Sequence, residues 1–142
     1  MPRVLAIDPG TRTVGLAVSD ESALIAQPLG EEPAQPEKTL VERLAGRARR
    51  IDAAELVVGL PRRMDGSQGP EALAARQLAG HLREATGLPV HLVDERLSSV
   101  AAERSLLEGG LRREKRRRLA HRVSAAIVLQ SYLDRARDGR RA

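Results

Sequence analysis

The 142-residue chain has no cysteine, no phenylalanine and no tryptophan, and Tyr132 is its single tyrosine. Without cysteine there is no disulfide framework, no thiol nucleophile and no cysteine-ligated zinc. Without an aromatic surface there is no platform on which nucleic-acid bases could stack, and the core must be built from Leu, Val, Ile and Ala. Long apolar runs are missing too. No stretch approaches the roughly 18 residues that span a bilayer. The opening "MPRVLAID" reads as a strand, without the pattern of a signal peptide. These absences predict a soluble, cytoplasmic protein that does not engage a membrane.

What is present is charge and a modest apolar core. Charged residues make up 30% of the chain and hydrophobic ones 42%, proportions that suit one globular domain. The expectation is a single domain over residues 1–137 followed by a frayed basic tail, 138–142. The net charge of +5 is unevenly placed: residues 112–142 hold 11 Lys/Arg against 3 Asp/Glu, whereas residues 1–111 hold 13 against 16. A basic segment beside a mildly acidic body suits a polyanionic partner, of which nucleic acid is the commonest.

The apolar runs "RVLAID" and "VGLAVSD", separated by the Pro-Gly turn in "PGTRT", predict two paired strands, with "ALIAQPL" (23–29) as a third. Leu40, Val41, Leu44, Ala48 and Ile51 recur at helical spacing over 37–51, with Arg43, Arg47 and Arg50 on another, solvated face. "AELVVGLP" reads as a buried strand. A helix follows from near Pro70, with Ala74, Leu78, Leu82 and Ala85 as its inner face and Gly87 with Pro89 as its stop. "VHLV" is a further buried strand ending at Asp94 and Glu95. A helix capped at Ser98 or Ser99 should run to Gly109-Gly110, and the last helix should begin in the basic run and end near Arg137. Three opening strands followed by alternating helices and strands predict an α/β sandwich around a mixed sheet.

Asp8 and the Asp94-Glu95 pair each lie just past an apolar strand. Ligands of open α/β sheets bind outside the carboxyl ends of the parallel strands, so these acids can meet at one edge. Neighbours in a strand point to opposite faces, so only one of Asp94 and Glu95 should share the side of Asp8. On the last helix, His121 falls within about 40° of Ala125, Val128 and Tyr132 on the helical wheel. That stripe should face the sheet, with His121 one turn ahead of the core. Two carboxylates and an imidazole at a sheet edge beside a basic surface can bind a divalent ion against a phosphate.

The motifs resemble those of the YqgF/RuvX family of Holliday junction resolvase-like nucleases in the ribonuclease H superfamily. "AIDPGTRTVGLAVSD" resembles the family's opening Asp-x-Gly-x-x-x-x-Gly-x-Ala motif, "VVGLPRRMDGSQG" its Gly-Leu-Pro loop, "VDERLSS" its Asp-Glu-Arg motif and "SAAIVLQSYL" its final helix. Ungapped alignment of that helix puts His121 where the family usually carries an Asp. The resemblance covers residues 4–133 in the right order. It implies a ribonuclease H-like fold, a five-stranded mixed sheet flanked by α-helices, and metal-dependent cleavage of phosphodiesters. Asp8 and Glu95 become catalytic metal ligands, His121 takes the place of the third acid, and Asp94 is the alternative ligand. The implied substrate is the 5′ end of pre-16S ribosomal RNA, with four-way DNA junctions as the alternative.

The implied chemistry is hydrolysis by a metal-activated water with one or two Mg²⁺ or Mn²⁺ ions. An imidazole in place of a carboxylate favours later first-row metals, so Mn²⁺ should be preferred. His121, with a reference pKa near 6.5, could instead move a proton. Arg12, Arg62, Arg96, Arg112, Arg113, Arg116 and Arg117 are the candidate phosphate contacts, and recognition should rest on backbone and shape, with steep salt dependence. Cutting a four-way junction symmetrically would call for a homodimer. Two other classes compete. "DPGT" also resembles the phosphate hairpin of actin-like and sugar-kinase ATPases, which need a second lobe that this length does not provide. A non-catalytic RNA-binding module would follow if the third acid had been lost without replacement.

Overall fold

The computed structural model describes residues 3–61, 67–94 and 124–136. Five strands form one mixed sheet in the order β3-β2-β1-β4-β5. They are β1 (Arg3–Asp8), β2 (Thr13–Ser19), β3 (Ala26–Pro33), β4 (Ala53–Leu60) and β5 (Val90–Asp94). β1 and β2 are antiparallel, as are β2 and β3, whereas β4 lies parallel to both β1 and β5. Helices α1 (Glu37–Arg50) and α2 (Pro70–Thr86) supply the crossovers. A third helix, α3, occupies residues 124–136. None of the described helices is long and apolar enough to cross a membrane.

The sheet has a core on each side, and strand alternation assigns each side chain to one of them. Leu5, Ile7, Val14, Leu16, Leu56, Val58 and Leu60 face α1 and α2. Val4, Ala6, Ala17, Val57 and Val93 face Ala125, Val128, Leu129 and Leu133 of α3. Because β1 and β4 are covered on both faces, they read as continuous apolar runs.

Polar contacts set the position of α3. The Gln130 side-chain amide donates to the Leu24 carbonyl at 2.9 Å, and its oxygen accepts from the Ala26 N–H at 2.9 Å. Tyr132 donates its hydroxyl to Glu55 at 3.0 Å, and its ring stacks on His91 with centroids 5.2 Å apart. Leu24 and Ala26 flank the start of β3, and Glu55 is level with Val4 at the start of β1. The C-terminal half of α3 is thus fastened at the edge where β1 begins, and its N-terminal end runs toward the edge where β1 ends.

Two sequence expectations shift. The third strand begins at Ala26, and residues 20–25 form a turn closed by Asp20, whose carboxylate accepts the N–H groups of Leu24 and Ile25 at 2.9 and 3.1 Å. A hydrogen bond from the Ser22 hydroxyl, together with those two backbone donors, holds the Asp20 carboxyl below its ordinary range. An aspartate side chain that satisfies turn backbone outcompetes the strand propensity of Leu24 and Ile25, both of which are left exposed. In α2 the buried stripe is Ala72, Ala75, Ala79 and Leu82, while Ala74 and Ala85 are exposed and Leu78 is half-buried. Three alanines on the inner stripe let the helix lie close to the sheet, so it turns its smaller residues inward and exposes Leu73. Pro70 at the start and Gly87 at the end behave as expected, the latter left-handed at φ 71° with its N–H on the Arg83 carbonyl at 2.9 Å.

The basic stripe of α1 is more than a solvated face. Arg43 and Arg47 converge on Glu32 of β3, with N···O distances of 3.2 and 2.7 Å, and Arg43 also donates to the carbonyls of Pro33 and Pro36. Burial opposes ionisation of Glu32, yet the hydrogen bonds and charges of Arg47 and Arg43 outweigh it and hold the carboxyl below the usual glutamate value of 4.5. A depressed carboxyl pKa stabilises the fold above the unfolded-state value, and that contribution disappears as pH falls from about 4.5 through the folded-state pKa. Glu32→Ala, which leaves two guanidinium groups partly buried, should lower unfolding free energy at pH 7 by about 2 kcal/mol. In urea titrations the gap between native and variant should narrow as pH falls below about 4.5.

Candidate active site

Asp8 closes β1 and is only 4% exposed, although it is charged and stands at the end of a strand. Alternation places it with Val4 and Ala6 on the α3 side of the sheet. Its neighbours in the sheet are unusual. On one side its partner is Gly15 of β2, and Gly15 in turn pairs with Glu31 of β3. On the other side Ile7 is level with Val58 of β4, which brings Asp8 level with Gly59, and Gly59 pairs with Val93 of β5. The row across the sheet therefore reads Glu31, Gly15, Asp8, Gly59, Val93. Paired residues on adjacent strands present their side chains on the same face, so the Asp8 carboxylate stands between two positions that have no side chain. A Cβ at either would lie roughly 5 Å from that of Asp8. No side chain from the two adjacent strands therefore flanks the carboxylate in this row.

The other predicted residues fall as follows. Asp94 ends β5 at the same edge, level with Leu60. Val90 packs with the α1/α2 core and Val93 with the α3 core, so alternation turns Asp94 toward the α1/α2 side, away from the Asp8 carboxylate. Arg12 is exposed in the turn after β1, at the Asp8 edge, and its carbonyl accepts the Ala34 N–H at 2.8 Å. Glu95, His121, Arg62, Arg96, Arg112, Arg113, Arg116 and Arg117 lie outside the described residues, as does the helix expected from Ser98 or Ser99. Among the described residues no three His, Cys, Asp or Glu side chains form a metal-holding group.

Sequence reading overlooked Glu31. Its place in the row depends on a register shift between Leu16 and Ala17 in the β2/β3 ladder. Counting from the turn does not reveal such a shift. The only available signal was the Glu31-Glu32 pair itself, since an alternating strand must send one of two adjacent acids to each face.

A mixed sheet in the order 3-2-1-4-5, a buried aspartate at the end of its central strand and a helix laid over that strand define a RuvC-like ribonuclease H fold. The chain is similar in structure to the Thermus thermophilus RuvC solved in complex with a Holliday junction substrate, with a TM-score of 0.56, 25% identity and coverage of 96% of each chain. The family described as "RuvX: Holliday junction resolvase" matches residues 2–135, and the chain belongs to that family. It is 47% identical over 133 residues to a Moorella thermoacetica protein, covering 94% of this chain and 95% of that one. Over 137 residues it is 44% identical to a Geobacillus kaustophilus protein, covering 95% and 99%. Both relatives carry the name "Putative pre-16S rRNA nuclease".

Proposed function

We propose that the chain is a cytoplasmic, metal-dependent nuclease that hydrolyses phosphodiester bonds at the 5′ end of pre-16S ribosomal RNA. The observation that carries this reading is Asp8: a carboxylate 4% exposed between Gly15 and Gly59 at the carboxyl edge of the parallel strands. A charge so placed is costly unless a cation or hydrogen-bond donors offset it, and hard oxygen is the donor that Mg²⁺ and Mn²⁺ accept. The names of the relatives favour the RNA substrate.

Asp8, Glu95 and His121 would hold the ion. Glu95 is favoured over Asp94 because the family resemblance implies it as the ligand and Asp94 turns to the opposite face from Asp8. His121 is favoured because the family resemblance puts it where the family usually carries an Asp, and the described part of α3 points its N-terminal end toward the Asp8 edge. A divalent ion supplies a Lewis acid for the phosphodiester and acidifies the attacking water. The chain's own part is to fix the scissile phosphate against Asp8. Arg12, exposed at that edge, and Arg96 would grip phosphates near the cut, while Arg62, Arg112, Arg113, Arg116 and Arg117 would track the flanking backbone. With no aromatic surface for stacking, binding should weaken steeply with salt and discriminate little between base sequences.

The test is a side-by-side cleavage assay on a precursor 16S fragment, a single-stranded RNA and a four-way DNA junction, each with Mg²⁺ and with Mn²⁺. Cutting of the precursor near its mature 5′ end, faster in Mn²⁺ than in Mg²⁺, is the expected result. Symmetric cutting of the junction alone, by a protein that sediments as a homodimer, would favour the resolvase reading. Retained binding without cutting in either metal would favour a non-catalytic RNA-binding module. His121→Asp should shift the preference toward Mg²⁺ if the imidazole is a ligand, and should abolish cleavage in both metals if it moves a proton.

A further inference from the structure

The metal ligands that the family resemblance implies are Asp8, Glu95 and position 121, and Glu31 is not among them. We propose that Glu31 supplies an additional carboxylate for the divalent ion held by Asp8, making the start of the site a two-strand acidic pair across Gly15. The inference rests on the nuclease reading and extends it to β3, an edge strand with no part in the ligand set that the resemblance implies.

Three observations carry it. First, register: Asp8 pairs with Gly15 and Gly15 pairs with Glu31, so the three lie in one row and share a face. The α-carbons of Asp8 and Glu31 are two strand spacings apart, about 10 Å, a gap that an aspartate and a longer glutamate leaning toward each other can largely close. Secondly, the position between them is a glycine, so no side chain separates the two carboxylates. Thirdly, β3 is anchored at this point from the opposite face. The neighbouring Glu32 is gripped by Arg43 and Arg47, and Arg47 also donates to the Glu31 backbone carbonyl at 3.4 Å. That clamp holds the strand so that Glu31 must emerge on the side of Asp8, and Glu31 is itself only partly exposed. An added carboxylate would offset the negative charge given up by a histidine at position 121.

The experiment is a calorimetric titration of the nucleic-acid-free protein with MnCl₂, comparing native protein, Glu31→Gln, Glu31→Asp and Asp8→Asn, with melting temperatures measured alongside. The expected result is Mn²⁺ binding about tenfold weaker in Glu31→Gln at an unchanged melting temperature, with Glu31→Asp within about threefold of native. The Mn²⁺ concentration for half-maximal cleavage should rise by the same factor as the dissociation constant. If Glu31→Gln binds Mn²⁺ like native protein while Asp8→Asn loses binding, Glu31 is no ligand and the nuclease reading stands. If neither variant changes Mn²⁺ binding, the metal site at Asp8 falls and Glu31 falls with it. Weaker Mn²⁺ binding by Glu31→Gln that comes with a lowered melting temperature, with Glu31→Asp destabilised and impaired in parallel, would make Glu31 structural and overturn the proposal.

Discussion

Asp8→Asn should reduce cleavage of the precursor RNA by about a thousandfold or more, equivalent to about 4 kcal/mol of transition-state stabilisation. The substitution is nearly isosteric and removes one negative charge from a residue only 4% exposed. Every charge-dependent role of the carboxylate is lost while the volume of the side chain is kept. The neighbours across the sheet are glycines, so no other side chain in the adjacent strands can take over. Loss of cutting should therefore come with a native circular dichroism spectrum, a melting temperature at or above that of the native protein, and RNA affinity within a few-fold of native, because the phosphate contacts proposed above are arginines. Single-turnover cleavage and filter binding on the same preparations separate these quantities. A variant that cuts within tenfold of native would place the chemistry elsewhere.

The largest stability effect should come from the α3 core. Leu129 is fully buried among Val4, Ala6, Ala17, Val57 and Val128, and its replacement by alanine removes apolar contact and leaves a cavity whose one aromatic neighbour, Tyr132, is held in place by Glu55 and His91. The expected loss is about 3 kcal/mol, which for a domain of this size lowers the melting temperature by about 10 °C. Because α3 lies over the sheet face that presents Asp8, the same variant should show a higher Mn²⁺ requirement well below its melting temperature. Leu73→Ala, at a position 59% exposed on α2, is the matched control and should move neither quantity. Thermal melts followed at 222 nm provide the check.

Much of this architecture was legible because it is written in short-range patterns. β1 and β4 are runs of branched residues closed by Asp8 and by Gly59-Leu60-Pro61, and α2 opens on Pro70 and ends at a left-handed Gly87. The common edge of Asp8 and Asp94 followed from the parallel pairing of β1, β4 and β5. The illegible parts depended on competition between local and distant contacts. Leu24 and Ile25 have strand character, but the Asp20 carboxylate takes their N–H groups and delays β3. Ala74 and Ala85 fit the helical period as well as Ala72 and Ala75 do, and the choice between them is made by how closely α2 must approach the sheet. Arg43 and Arg47 looked like a solvated stripe because their partner, Glu32, comes from β3 across the turn with the cis Gln35–Pro36 bond. Of the candidate site, alternation already required Asp94 and Glu95 to diverge. It could not reveal the Glu31–Gly15–Asp8 row, which depends on the register shift between Leu16 and Ala17.

The central claim is that Asp8 begins a metal site completed by Glu95 and His121. It is tested most directly by an experimental structure of crystals soaked in MnCl₂, with data collected at the manganese absorption edge. The prediction is an anomalous peak within bonding distance of the Asp8 carboxylate, with a Glu95 oxygen and a His121 ring nitrogen in the same coordination sphere. A protein that binds Mn²⁺ in solution but shows its peak away from Asp8, with Glu95 and His121 far from that carboxylate, would contradict the claim.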